Sequence, residues 1–88
     1  MTDRIIEMAS YIKSSKNRQK VIFSIGNSVK TPSDISNATD LRLNYVSMIL
    51  GELKENNIVV CLNEDSKRGR FYSLTDDGEK AFKFLKQL

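Results

Sequence analysis

Apolar residues recur every three or four positions over most of the chain, and this interval is that of one face of an α-helix. The pattern predicts helices over residues 3–13, 16–25, 32–39, 43–56 and 76–88. The positions expected to face inward are Ile5, Met8, Ala9 and Ile12; Val21, Ile22 and Ile25, with Val29 just beyond; Ile35 and Ala38; Val46, Ile49, Leu50 and Leu53; and Ala81, Phe82, Leu85 and Leu88. Phe84 lies on another side of the last helix.

Short polar residues mark the ends of these helices. Serine, threonine and aspartate are favoured as N-caps because their oxygens accept hydrogen bonds from the free N–H groups of the first turn. The predicted N-caps are Thr2 or Asp3, Ser15, Thr31 and Thr75, with Pro32 at the first helical position and Asp34 at the third. The predicted helix ends are Gly26-Asn27, Thr39-Asp40 and Asn57, where a left-handed backbone is tolerated.

Two stretches rich in β-branched and aromatic residues predict strands. They are Ile58–Leu62 and residues 70–74, and the short turn Glu64–Gly69 between them predicts a hairpin. Alternation places Ile58, Val60 and Leu62 on one face and Val59 and Cys61 on the other. Cys61 is interpreted as a small hydrophobic filler.

The residue types present exclude several kinds of chemistry. The 88-residue chain has no histidine, and a lone Cys61 forms neither an intramolecular disulfide nor a cysteine-based zinc site. Its four glycines are scattered singly, so no phosphate-binding loop is present. These features argue against an enzyme and predict no metal or other cofactor.

Length and hydropathy predict one cytoplasmic domain over residues 1–88. No apolar run approaches the roughly 20 residues of a membrane span, so no membrane partner is expected. The charged, amphipathic start of the chain does not resemble a secretory signal. The net charge is only +3, but cations cluster at residues 13–20 and 67–70. Such clusters favour a polyanionic partner, although a solvated surface is the commoner explanation of any single cluster.

Three segments together resemble a winged-helix DNA-binding domain. They are "SSKNRQKVIFSI", "TPSDISNATDLRLNYVSMILGELKENNIVVCL" and "KRGRFYSLTDDGEKAF", and the match covers roughly Ser14 to Phe82. The chain is similar to the small stand-alone winged-helix transcriptional regulators of archaea, and more distantly to ArsR- and MarR-type regulators. The resemblance implies an α+β fold: a winged helix-turn-helix with a three-helix core, a two-stranded β-hairpin wing and flanking N- and C-terminal helices.

The resemblance also implies sequence-specific binding of double-stranded DNA by a transcriptional regulator. Its recognition helix would begin near residue 43 and present Arg42, Asn44, Tyr45, Ser47 and Met48 to the major groove. These types suit base edges, since arginine pairs with guanine, asparagine with adenine, and an apolar group meets the thymine methyl. Two positions depart from the family: Met48 stands where many relatives carry Arg or Lys, and Arg42 replaces a small or hydroxyl N-cap. The alternative is a solvated face with Tyr45 packed on a neighbour.

Phosphate contacts are expected from the wing and from two helix starts. The wing residues are Lys67, Arg68 and Arg70, and the helix starts supply Lys16, Arg18, Thr31 and Ser33. Cations in the first turn of a helix oppose its dipole, so local stability does not explain Lys16 and Arg18. The alternatives are a cap at Thr31 with a structural purpose only, and a solvated face with Arg18 packed against the C-terminal helix.

The terminal helices, residues 1–14 and 76–88, carry more apolar surface than a domain this small readily buries. We therefore expect a twofold homodimer formed through Ile5, Met8, Ile12, Phe84 and Leu88. The alternative is a monomer in which the two helices cover each other. For the whole protein, the alternative function is a winged-helix module that binds other proteins in a larger complex.

Overall fold

Five helices and one antiparallel pair of strands make up residues 3–88, the part of the chain that the computed structural model describes. The helices are α1 Asp3–Lys13, α2 Lys16–Ile25, α3 Pro32–Thr39, α4 Leu43–Glu55 and α5 Asp76–Lys86, and the strands are β1 Val59–Cys61 and β2 Tyr72–Leu74. This order confirms the predicted α+β winged helix-turn-helix. Helices α3 and α4 form the helix-turn-helix, and β1, β2 and their connecting turn form the wing, residues 59–74.

Helices α2, α3 and α5 begin where the sequence predicts because a side chain caps each of them. Ser15 Oγ accepts a hydrogen bond from the N–H of Arg18, and Thr75 Oγ1 accepts one from the N–H of Gly78 at 2.9 Å. Asp40 and Asn57 adopt the left-handed conformation, with φ of 61° and 59°, and each redirects the chain after a helix. The possible cap at Thr2 lies outside the described residues.

The core lies between the helices and the inner face of the sheet. The predicted stripes of α1, α2 and α4 are all buried, as is Ile35 of α3. The strands pair with Val59 opposite Leu74 and Cys61 opposite Tyr72, and these four side chains face inward. Cys61 is buried, in agreement with its interpretation as a filler.

Three expectations about inward-facing residues were wrong. Val29 is exposed because it follows Gly26, whose positive φ of 52° turns the chain out of the direction of α2. Ala38 is exposed because the two-turn helix α3 contacts the core mainly through Ile35. Leu88 is exposed because α5 ends at Lys86.

The predicted alternation along the first strand fails at its first residue. Val60 and Leu62 face outward as a pair, but Ile58 is fully buried. Ile58 precedes β1 and follows the left-handed Asn57, so the alternation of the strand does not extend to it.

Helix α1 packs along α5. This contact uses the apolar stripe of α1 that the sequence predicted to lie in a dimer interface. Ile5, Met8 and Ile12 are buried inside the single chain. Those three residues therefore do not form an exposed interface. Phe84 is only partly buried and Leu88 is exposed, as is Ile6 on α1.

A backbone link that the sequence did not predict joins the start of α3 to the wing. The N–H of Lys30 donates to the carbonyl of Tyr72 at 2.9 Å, and the N–H of Tyr72 donates to the carbonyl of Lys30 at 2.8 Å. Strand β2 is therefore paired on both sides, with β1 and with Lys30. This bridge places the N-terminus of α3 beside the wing.

Among residues 3–88, no helix has the length and apolarity that crossing a membrane requires.

Two helical glycines have opposite surroundings and should respond oppositely to substitution. A Cβ at Gly78 would overlap the carbonyl oxygen of Ile58, whereas a Cβ at Gly51 would meet open space. We expect Gly78→Ala to lower the free energy of unfolding by roughly 1–3 kcal/mol. Gly51→Ala should raise it by about 0.5–1 kcal/mol, because alanine is the better helix former. Urea denaturation of both variants measures the effect, and a Gly78→Ala variant as stable as the native chain would contradict the packing described at Gly78.

Candidate nucleic-acid interface

A groove of about 520 Å³ runs between the start of α3, one face of α4 and the wing. We call it the wing groove. It is lined by Thr31, Pro32, Ser33, Leu43, Ser47, Gly51, Lys54, Lys67, Gly69, Arg70 and Tyr72. Residues predicted for three separate roles meet here: Thr31 and Ser33 from a helix start, Ser47 from the recognition helix, and Lys67 and Arg70 from the wing.

Helix α4 presents two adjoining exposed faces. Leu43, Ser47, Gly51 and Lys54 follow one another at intervals of four, four and three residues, and they line the wing groove. Asn44 and Met48 are exposed on the neighbouring face, and Met48 keeps 51% of its surface accessible. This part of α4 is accessible from outside together with the groove.

Tyr45 is held against the protein and not presented with its neighbours. Its hydroxyl accepts a hydrogen bond from Nδ2 of Asn17 on α2 at 3.1 Å, and its ring packs against the core. Tyr45 is therefore packed on a neighbouring helix, as in the alternative given for this face of α4.

Arg42 occupies the N-cap of α4, as the departure from the family pattern suggested. Its side chain makes no capping hydrogen bond and is exposed. The first-turn N–H groups of α4 therefore lack a side-chain acceptor from the cap.

The start of α3 is closed by a reciprocal pair of hydrogen bonds. The N–H of Asp34 donates to Thr31 Oγ1 at 3.1 Å, and the N–H of Thr31 donates to Asp34 Oδ2 at 3.2 Å. The bond from the Thr31 backbone, followed by that from its hydroxyl, holds the pKa of Asp34 below its usual value. The structural cap is therefore present at this end of α3, while the side chain of Ser33 is exposed beside it.

Arg18 and Lys16 have different surroundings on α2. Arg18 Nη1 donates to the carbonyl of Tyr11 at 3.0 Å and to Ser14 Oγ at 2.9 Å, and the guanidinium lies 3.9 Å from the centre of the Tyr11 ring. Its charge thus stabilises the C-terminal end of α1, where the helix dipole favours a cation. Contacts with α1 therefore account for Arg18 at the start of α2, contrary to the expectation that local stability does not explain it. Arg18 packs against α1 and not against the C-terminal helix.

Lys16 is exposed and lies by Lys20 and Phe23 around a separate depression on α2. Neither Lys16 nor Arg18 lines the wing groove.

The turn of the wing is organised by Asn63. Its Oδ1 accepts from the N–H of Phe71 at 2.8 Å, and its Nδ2 donates to the carbonyl of Gly69 at 3.2 Å. Gly69 has a φ of 63°, as expected for the glycine that makes the turn. These bonds fix the ends of the turn that carries the cations.

The three cations of the wing differ in how they are held. Arg70 Nε donates to the carbonyl of Ser66 at 2.7 Å, and its Nη2 reaches the carbonyl of Glu64 at 3.4 Å. The side chains of Lys67 and Arg68 are exposed and have no hydrogen-bond or ion-pair partner within residues 3–88. Arg70 therefore braces the turn, and the other two are available to an external anion.

Lys54 is a charged residue of the groove that was not among the residues predicted from the sequence. It forms an ion pair with Glu64 of the wing. Their hydrogen bond and mutual attraction raise the pKa of Lys54 and lower that of Glu64. The available signal was helical spacing, because Lys54 lies seven residues after Ser47 and so on the same face of α4.

Sequence comparison finds no matching family model and no matching curated protein. Comparison of folds does give matches, and they belong to one class, the winged helix-turn-helix domains. One is TubR bound to 24 bp of tubC from Bacillus thuringiensis serovar israelensis pBtoxis, with a TM-score of 0.83 and 17% identity over 99% of this chain and 97% of that one.

Two further structures have the same fold. The homodimeric winged helix-turn-helix DNA-binding domain of Mb0332 from Mycobacterium bovis gives a TM-score of 0.73 and 16% identity, over 99% of this chain and 84% of that one. NadR in complex with 4-hydroxyphenylacetate gives a TM-score of 0.76 and 19% identity, over 96% of this chain and 63% of that one. At these identities the likeness establishes the fold.

The capping pair of α3 predicts a dependence of stability on pH. Because the folded-state pKa of Asp34 is depressed, its contribution is present above its unfolded pKa of about 3.9 and is lost as the pH falls through the folded value. Asp34→Asn should lower the urea midpoint at pH 7, and the difference from the native chain should shrink below about pH 4. Asp65→Asn, at an exposed position with no side-chain partner among residues 3–88, is the control. Equal effects of the two substitutions would contradict the cap.

Proposed function

We propose that this protein is a transcriptional regulator that binds double-stranded DNA in a sequence-specific manner, of the small stand-alone kind that its sequence resembles. Helix α4 enters the major groove, and the wing contacts the phosphate backbone. The observation that carries the proposal is the wing groove, in which polar positions of α3 and α4 meet the cations of the wing.

The charge of the wing groove supports a polyanionic partner. Among its described lining residues, Lys54, Lys67 and Arg70 are positive and none is negative. Lysine and arginine that neutralise phosphates release counterions, which makes binding favourable at low salt and strongly dependent on salt concentration. Arg68, exposed on the same turn, adds a further cation.

The N-terminal half of α4 supports base recognition. Arg42 and Asn44 are exposed and of the types that pair bidentately with guanine and adenine, and Met48 offers an apolar contact for a thymine methyl. Further along the helix, Glu52 and Glu55 would repel phosphate. Recognition helices commonly read bases with their N-terminal residues, which agrees with this division.

We further propose a homodimer. The exposed apolar residues of the terminal helices, Ile6 and Leu88, support it, as does partly buried Phe84. The comparison domain of Mb0332 is homodimeric, which adds support from a related fold. A twofold dimer would present two α4 helices to half-sites about 10 bp apart.

Light scattering coupled to size-exclusion chromatography tests the dimer. At micromolar concentration we expect twice the chain mass of 10.0 kDa. Ile6→Glu should shift the species toward one chain, because a charge would be buried in the interface. Val60→Glu, the same kind of change on the outer face of the sheet, should not. A native chain that elutes as a 10.0 kDa species would contradict the dimer.

Selection of bound sequences from random duplex DNA tests the function itself. We expect recovery of a motif, and a symmetric one if the protein is a dimer. Binding should also weaken steeply between about 50 and 200 mM salt. Absent or salt-independent binding to duplex DNA would favour the alternative, a winged-helix module that binds other proteins.

Arg68 provides a specific test of the wing. Arg68→Ala should weaken binding about equally for all duplex sequences and reduce the salt slope by about one, because one phosphate contact is lost. Lys80→Ala, which removes the same charge from an exposed position on α5, is the matched control. Unchanged binding by Arg68→Ala would mean that the turn is a solvated tip.

A further inference from the structure

An ion pair joins α4 to the wing at the edge of the wing groove. Lys54 lines the groove, and its ammonium group binds Oε1 of Glu64, which begins the turn of the wing. Both side chains remain accessible, at 43% for Lys54 and 54% for Glu64. An incoming anion can therefore reach the pair without any rearrangement of the core.

A second groove cation lies beside the same carboxylate. Arg70 donates from Nη2 to the backbone carbonyl of Glu64 at 3.4 Å, and its charge attracts the carboxylate. Two of the three cations that line the groove, Lys54 and Arg70, thus face Glu64 in the free protein. Lys67 is the lining cation that has no such partner among the described residues.

We propose that Glu64 is an internal competitor for DNA phosphate: it occupies Lys54 in the free protein, and a bound duplex displaces it so that Lys54 contacts the backbone. This inference rests on the proposed function. The exchange is accessible because exposed ion pairs are individually weak. Its consequence is that Glu64 lowers affinity for all duplexes alike, so that base contacts on α4 contribute a larger share of the binding free energy.

The same ion pair has a second physical interpretation, which predicts the opposite effect on DNA affinity when the pair is removed. If the bond between Lys54 and Glu64 serves mainly to brace the wing against α4, its removal would loosen the wing and weaken DNA binding. Competition with phosphate predicts tighter binding on removal of the carboxylate. The sign of the change in affinity therefore separates the two.

The decisive variant is Glu64→Gln, and the chain supplies a matched control next to it. Asp65→Asn makes the same change in charge at an exposed neighbour that has no partner within residues 3–88. Affinity for a random-sequence duplex would be measured by fluorescence anisotropy between about 50 and 200 mM salt, the range over which phosphate contacts are screened. Urea midpoints of both variants would establish that the fold is intact.

We expect Glu64→Gln to tighten binding by up to about fivefold. The salt slope should steepen by about one, because the Glu64 carboxylate displaced in the native complex takes up a counterion, and the variant has no such carboxylate. Asp65→Asn should tighten binding less and leave the slope unchanged. Glu64→Gln that binds no more tightly than Asp65→Asn, or more weakly than the native chain, would overturn the inference.

Removal of the cation completes the test. Lys54→Gln should weaken binding of the native chain and reduce the gain produced by Glu64→Gln to that of Asp65→Asn. A gain of the original size without Lys54 would show that this lysine is not the phosphate ligand, and would overturn the inference. Failure of the native chain to bind any duplex would instead overturn the proposed function, and the inference with it.

Discussion

The pairing of β2 on both of its edges is the constraint on which the candidate interface depends. Tyr72 exchanges two backbone hydrogen bonds with Lys30, lies opposite Cys61 in the sheet and buries its ring against the core. The wing is consequently fixed to the start of α3 and not only to β1. Without this bridge, the wing would be tied to α4 only through β1 and the ion pair of Lys54 with Glu64, and the start of α3 would not share one groove with the cations of the turn.

A second set of contacts fixes the other end of the sheet. Thr75 caps α5, and it donates its hydroxyl hydrogen to the carbonyl of Asn57 and its backbone N–H to the carbonyl of Ile58. The absence of a side chain at Gly78 leaves room for the Ile58 carbonyl. Helix α5 then packs on α1. Helix α4, the wing and the terminal helices are thereby connected, which suits a chain of 88 residues with a small core.

The parts of this structure that the sequence predicted are those determined by neighbouring residues. Caps such as Thr31 and Thr75 depend on residues three positions away, and the helical stripes depend on spacing alone. The bridge between Lys30 and Tyr72, the stacking of Arg18 on Tyr11 and the pair of Lys54 with Glu64 were not predicted. Each joins separate elements, so none has a periodic signal. Along α4 and its N-cap, Arg42, Asn44, Ser47 and Met48 are exposed as the sequence predicted. Tyr45 is partly buried, because its hydrogen bond with Asn17 depends on another helix, which spacing along α4 does not indicate.

The central claim is that duplex DNA binds across α4 and the wing, with its phosphate backbone at the wing groove. It is tested most directly by titrating an isotopically labelled chain with a short duplex and following backbone amide chemical shifts. Binding in this groove predicts the largest changes at Ser33, Ser47, Gly51 and Lys67, with little change at Ser10 on the outer side of α1. Changes confined to α1 and α5, with the groove amides unaffected at saturating DNA, would contradict the claim.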